Sequence, residues 1–184
     1  MNENIISCQK CGLCKNQPPL LDIKKKSQVM WVGLSAKKKT DEKECPLSSI
    51  TNSGRLIQQI EEAYTDSTLV TYRTNLVKCL PLDSKHKLRY PNKTEIDACF
   101  SNLITEIDSV SPKIVFLLGK NVYSAIDRHF KLSFEKWDGY SYCYKEKSGI
   151  YYVPIHHPSY IHVYKRKEID EYIAGVIKII TELL

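Results

Sequence analysis

The sequence predicts an α/β fold, a three-layer sandwich in which a central, mostly parallel four-stranded sheet is flanked by helices. Short apolar runs that end at glycine, as at residues 29–33 and 114–119, predict buried strands. Amphipathic stretches alternate with these runs, which is the order that parallel strands joined by crossover helices require. At 184 residues, the chain is long enough for one such domain spanning 1–184.

The first half of the chain supplies two strands and one helix. Ser53 is a suitable N-cap for the helix, and a polar, lysine-rich loop precedes it. The apolar face of this helix is formed by Leu56, Ile57 and Ile60. The predicted elements are a strand at 29–33, a helix at 54–64 and a strand at 69–76.

The second half continues the alternation. A helix is expected to begin at Thr94, with Asp97 three residues later as in a capping box, and Pro112 ends it. A glycine turn at Ser148-Gly149 predicts a hairpin. The further elements are a strand at 114–119, hairpin arms at 140–144 and 150–154, and a final helix at 166–184.

The chain has a net charge of +6, and its lysines and arginines are unevenly distributed, with four basic clusters. Such clusters attract phosphate backbones, so DNA is a candidate partner. The clusters lie at residues 24–26, 37–39, 85–89 and 165–167. No run approaches the roughly 18–20 apolar residues of a membrane span, and the N-terminus lacks a basic-then-apolar leader. We therefore expect a cytoplasmic protein without a membrane partner.

Seven cysteines in a chain without a leader favour metal ligation over disulfides, because cytosolic thiols stay reduced. Cys8 and Cys11 have the two-residue spacing with which neighbouring thiolates bind one metal centre. With Cys79 and Cys99 they would suit either zinc or a [4Fe–4S] cluster. The other three, Cys14, Cys45 and Cys143, are expected to be bystanders, although Cys14 is an alternative to Cys8.

Five motifs occur in the order and spacing found in one group of enzymes. They are Cys8-x-x-Cys11-x-Leu13, Thr74-Asn75-Leu76-Val77-Lys78-Cys79, Pro91…Glu95-Ile96-x-x-Cys99, Pro112-Lys113…Leu118-Gly119 and His157-Pro158-Ser159. This series resembles the iron–sulfur uracil-DNA glycosylases of families four and five, from about residue 8 to 159. The resemblance implies the fold of the uracil-DNA glycosylases and a monomer that hydrolyses the N-glycosidic bond of a base extruded from DNA.

The resemblance also implies roles for individual residues. Cys8, Cys11, Cys79 and Cys99 would bind a structural [4Fe–4S] cluster in an N-terminal segment, with zinc as the runner-up. His157 would hydrogen-bond the O2 atom of the pyrimidine, with His156 as an alternative, and Asn75 would read the base edge. Ser159 would bind a phosphate of the target strand. Tyr160 and Ile161 are expected to fill the gap left by the extruded base.

Two motifs depart from the family pattern. The first reads Gly33-Leu34-Ser35-Ala36-Lys37 and lacks the family proline, so Ser35 is the nearest candidate for guiding water. The Pro-Phe pair that stacks on uracil is Pro46-Leu47, followed by an insert before Ser53-Gly54. We therefore expect Gly33, Leu34, Leu47, Ser53 and Gly54 to form a base pocket wider than usual. Its substrate would be uracil or a bulkier modified cytosine, for example in viral DNA.

Two other functions stay open from the sequence. One is a catalytically inactive iron–sulfur DNA-binding protein of the same fold, which the altered first motif favours. The other is a zinc-stapled interaction module unrelated to DNA, which a brown iron–sulfur protein would exclude, since zinc is colourless.

Overall fold

A computed structural model describes residues 2–23, 25–41, 44–66, 68–134 and 144–184. Within these ranges the strands are β1 (Val29–Ser35), β2 (Thr71–Val77), β3 (Ile114–Leu118), β4 (Lys145–Lys147) and β5 (Ile150–Ile155). The helices are α1 (Asn2–Ile6), α2 (Asn52–Ala63), α3 (Lys93–Val110), α4 (Lys120–Phe130), α5 (Pro158–Tyr164) and α6 (Ile169–Leu183). Short 3-10 turns lie at Leu13–Lys15 and Arg166–Glu168.

The strands form one sheet in the order β2-β1-β3-β5-β4. The four strands β2, β1, β3 and β5 are parallel, as predicted. The predicted hairpin turns at Ser148-Gly149, and its first arm, β4, adds a short antiparallel edge strand that the four-strand prediction did not count. This arm lies at 145–147 rather than 140–144, and residues 140–143 are outside the described ranges.

The two faces of the sheet are covered by separate apolar clusters, which confirms the three-layer sandwich. Alternate residues of β1 point to opposite faces, as the strand period requires. Trp31 packs on the side of α2, α5 and α6, where it stacks on Phe116. Met30 and Val32 pack on the other side, against α3 and α4.

Several helix boundaries differ from the prediction. Thr51, not Ser53, caps α2 by accepting the Gly54 N–H at 3.0 Å. The capping box of α3 is formed by Asn92 and Glu95, which lie two residues N-terminal to the Thr94 and Asp97 that the sequence suggested. The run after β5 continues into the short helix α5. The 3-10 turn at Arg166–Glu168 delays the last helix, predicted from residue 166, to Ile169.

The carboxyl ends of the four parallel strands meet at one edge of the sheet. The chain leaves β1 for β2 on one side and returns to place β3 on the other, so a topological switch point lies between β1 and β3. In open α/β sheets, ligands bind in the crevice outside such a point. In the described part of the chain, no helix is long and apolar enough to cross a membrane.

Candidate active site

A cavity of about 970 Å³ opens at this edge of the sheet. The site residues predicted from the sequence that line it are Leu34, Ser35, Leu47, Ser53, Asn75, His157 and Ser159. Gly33 and Gly54 are not among the described lining residues, but they contact the lining residues Asn75 and Leu47. The fold therefore brings most of the predicted base-binding and catalytic residues to one space.

His157 is held by the helix that follows it. Its Nδ1 accepts a hydrogen bond from the Ser159 N–H at 3.2 Å and lies 2.7 Å from Ser159 Oγ, so the imidazole caps α5. Because Nδ1 is the acceptor, the neutral ring carries its proton on Nε2. Burial lowers the pKa of His157, which favours this neutral form. The imidazole is thus prepared to donate one hydrogen bond from Nε2.

The two adjacent histidines have different surroundings, and His157 is the one that lines the cavity. Gly119, at the end of β3, adopts φ +88°, and a Cβ there would lie 3.1 Å from the Cβ of His157. A glycine is therefore needed beneath His157. His156 is not among the lining residues. Instead, its ring stacks on Tyr160 and its carbonyl accepts the Tyr172 hydroxyl at 2.7 Å. Of the two histidines the sequence offered, the geometry favours His157.

Asn75 lies within β2, opposite Gly33 on β1, and is 4% exposed. A Cβ at Gly33 would overlap the Asn75 Oδ1 atom and lie 3.2 Å from the Leu47 side chain. The absence of a side chain at Gly33 is therefore what admits the carboxamide. Within the described residues, the protein makes no hydrogen bond to this carboxamide, which leaves its donor and acceptor for a ligand.

A buried charge network, not predicted from the sequence, fixes the backbone of Asn75. The Lys78 ammonium donates to the Asn75 carbonyl at 2.5 Å and to Thr74 Oγ1 at 2.8 Å, and it forms an ion pair with Glu106. Glu106 also accepts the Tyr72 hydroxyl at 2.9 Å. Both side chains are inaccessible to solvent, so removing either one would leave the other as an unpaired buried charge. The available signal in the sequence was a carboxylate, Glu106, between the buried apolar residues Leu103 and Ile107 of α3.

Leu47 replaces the expected stacking ring and is held in a constrained conformation. Its φ is +52°, in the left-handed region, and its carbonyl accepts a hydrogen bond from Arg73 at 2.9 Å. Arg73 is itself paired with Glu61, which accepts the Trp31 indole N–H at 2.9 Å. A Cβ at Gly54 would collide with the Leu47 carbonyl, so Gly54 allows this loop to close onto α2.

The four predicted metal ligands lie in one corner beneath α3. Cys79 and Cys99 are buried there with Leu13, and Cys11 packs against them. The Asn102 amide donates to Cys8 Sγ at 3.4 Å and to Cys99 Sγ at 3.8 Å, which places Cys8 at the same corner. Burial and the surrounding cysteines raise the pKa of Cys79 to about 12.

The other three cysteines have different surroundings. Cys14, expected to be a bystander, packs in the same corner as Cys11. Cys45 lines the large cavity, and Cys143 lies outside the described ranges. In the described residues, no three metal-binding side chains are arranged for a single metal ion.

Two expectations for DNA contacts are wrong in detail. Ile161 is 1% exposed and belongs to the apolar core, so only Tyr160 of the predicted pair is available at the cavity mouth. Arg89 is bound to Glu95 through both carboxylate oxygens, at 2.8 and 2.5 Å, and is not a free cation for phosphate.

The profile of the Uracil DNA glycosylase superfamily matches residues 21–180 of the chain. The chain belongs to this superfamily. It is 32% identical over 168 residues to the Type-4 uracil-DNA glycosylase of Sulfurisphaera tokodaii, covering 86% of this chain and 73% of that protein. It is 26% identical over 170 residues to the Type-4 enzyme of Saccharolobus solfataricus, covering 85% and 73% respectively.

A solved structure supports the fold of this superfamily member. The crystal structure of Pedobacter heparinus SMUG2 matches with a TM-score of 0.56 at 14% identity, covering 86% of this chain and 76% of that chain. The family resemblance and the enzyme class predicted from the motifs, a DNA N-glycosylase, are confirmed.

Proposed function

We propose that the protein extrudes a pyrimidine nucleotide from DNA and hydrolyses its N-glycosidic bond at the cavity between Asn75 and His157, with uracil as the reference base. The observation that carries the proposal is that both side chains line one cavity at the switch point of the sheet. An extruded base is read in such pockets by hydrogen bonds to its edge.

The proposed mechanism uses the hydrogen-bonding state of each side chain. As the bond between C1′ and the base nitrogen breaks, its electron pair leaves with the base and negative charge grows on O2. The Nε2–H of neutral His157 donates to that oxygen, an electrostatic contribution of the oxyanion-hole kind. The carboxamide of Asn75 pairs with the donor and acceptor of the base edge. Water orientated by Ser35 attacks C1′ and loses a proton to solvent.

We propose that Cys8, Cys11, Cys79 and Cys99 hold a [4Fe–4S] cluster. Their fit is supported by N–H donors directed at sulfur, from Asn102 and from the Lys78 backbone at 3.5 Å from Cys99 Sγ. Hydrogen bonds to ligand sulfurs are typical of iron–sulfur sites. When bound, the cluster would supply structural cross-linking between the N-terminal segment and α3. Zinc, the alternative, would need the four thiolates around one ion, and the described residues do not have that arrangement.

We further propose that the pocket accepts bases bulkier than uracil, such as 5-substituted cytosines of modified viral DNA. The support is Leu47, which lines the cavity where the family pattern has an aromatic ring. The test is single-turnover release of base from duplexes containing uracil, 5-hydroxymethylcytosine or glucosylated 5-hydroxymethylcytosine, for the wild type and for Leu47→Phe.

We expect the wild type to release a modified cytosine, and Leu47→Phe to shift the preference towards uracil. Release of uracil alone by both proteins would contradict the wider pocket and leave the glycosylase proposal standing. DNA binding without release of any base would instead favour the inactive DNA-binding protein.

A further inference from the structure

The segment that connects β2 to α3 folds back as a tight hairpin over residues 81–90, which we call the rim hairpin. Leu82 and Leu88 pair as an antiparallel bridge. The carboxylate of Asp83 closes the turn by accepting the backbone N–H groups of Lys85 and Lys87 at 2.8 and 2.9 Å. The turn is therefore stabilised by hydrogen bonds within the hairpin itself.

Arg89 braces the rim hairpin against α3. Its backbone N–H donates to the Pro81 carbonyl at 3.1 Å and its Nε to the Leu82 carbonyl at 2.9 Å. Its guanidinium binds Glu95, the residue that completes the capping box of α3. This contact lowers the pKa of Glu95, so the pair is charged at neutral pH. Arg89 thus joins the two arms of the hairpin to each other and the hairpin to α3, which holds the remaining side chains in a defined place.

Those remaining side chains are apolar and exposed. Leu88 is 59% exposed and Tyr90 is 77% exposed, and both line the mouth of the cavity. On the α5 side of the mouth stand Tyr160 and Tyr164, whose rings lie 5.3 Å apart. Exposed apolar side chains gathered at the mouth of a pocket mark an interaction site.

We propose that the rim hairpin is a second DNA-insertion element, with Leu88 and Tyr90 entering the base stack beside the extruded nucleotide. The inference rests on the proposed function. DNA is the partner because these side chains border the cavity of Asn75 and His157, and because the hairpin also carries Lys85 and Lys87. Apolar wedges separate stacked bases, aromatic rings stack on them, and lysines bind the adjoining phosphates.

The test measures binding without base release. Fluorescence anisotropy gives the affinity for a duplex that contains a tetrahydrofuran abasic analogue flanked by 2-aminopurine, whose brightness reports unstacking. Leu88→Ala and Tyr90→Ala should each weaken binding by about 5- to 100-fold and reduce the 2-aminopurine signal. The matched control is Ile23→Ala, because Ile23 is 80% exposed and is not among the described lining residues. Its binding should equal that of the wild type.

Three outcomes would overturn the proposal. In the first, both variants bind within twofold of the wild type. In the second, they lose the same affinity for a fully paired duplex, which would indicate a general surface contact. In the third, they change the salt dependence of binding, because insertion of uncharged side chains leaves that slope unaltered. If the wild type releases no base, the proposed function is wrong, whereas the insertion proposal is still judged by the binding results.

Discussion

Replacing Glu106 by glutamine tests the buried network behind Asn75. The carboxylate is 2% exposed and is paired with Lys78, which is completely buried. In Glu106→Gln the remaining partners of the ammonium among the described residues, Thr74 Oγ1 and the Asn75 carbonyl, would be neutral. Removing one member of a buried ion pair costs about 3–5 kcal/mol, a large part of the roughly 5–15 kcal/mol that stabilise a typical domain.

For a chain of this length, that loss corresponds to a fall of about 6–20 °C in the unfolding midpoint. The assay is thermal unfolding followed by circular dichroism under anaerobic conditions. The double variant Glu106→Gln/Lys78→Met removes the unpaired charge and should recover much of the midpoint. Glu182→Gln is the control, because Glu182 is exposed on α6 and its ion pair in the described part of the chain is a long one, with Lys178 at 3.8 Å. A fall below about 2 °C, or a double variant no more stable than the single one, would refute the reasoning.

Three further predictions concern the site itself. Base release should be constant from about pH 8 to 6.5 and fall at lower pH. The reason is that burial places the pKa of His157 below its ordinary 6.5, and protonation of Nδ1 breaks the contact with the Ser159 N–H. A rate that rises as the pH is lowered would contradict the assignment. Gly33→Ala should slow single-turnover release at least about 100-fold, because its Cβ occupies the place of the Asn75 amide; a near-wild-type rate would show that the amide can move. Cys8→Ser should lose iron and visible absorbance whereas Cys14→Ser should keep both, and the reverse result would exchange the two ligands.

The architecture was predictable because its signals are local. The apolar runs of β1 and β3, and the helical spacing of Leu56, Ile57 and Ile60, each report burial directly. Boundaries were less predictable, since they depend on which of several adjacent capping residues finds its partner. The caps are Thr51 and Asn92 rather than Ser53 and Thr94, because the loops before the helices place their side chains where they accept the first free N–H groups.

The candidate site was predictable where motifs carry it, as for Asn75, His157 and the four cysteines. Its supports were not, because they join residues far apart in the chain. Lys78 meets Glu106 across 28 positions, and Arg73 reaches the carbonyl of Leu47 across 26. The closeness of Gly119 to His157 likewise depends on the pairing of β3 with β5. Such contacts require the tertiary structure.

The most direct measurement is the single-turnover release of uracil from duplex DNA by the wild type, Asn75→Ala and His157→Ala, with DNA affinity recorded in parallel. If one extruded base is held between the carboxamide and the imidazole, each variant should bind DNA normally but release the base at least about 100-fold more slowly. Variants that bind DNA and release uracil within a few fold of the wild-type rate would contradict this assignment of the site.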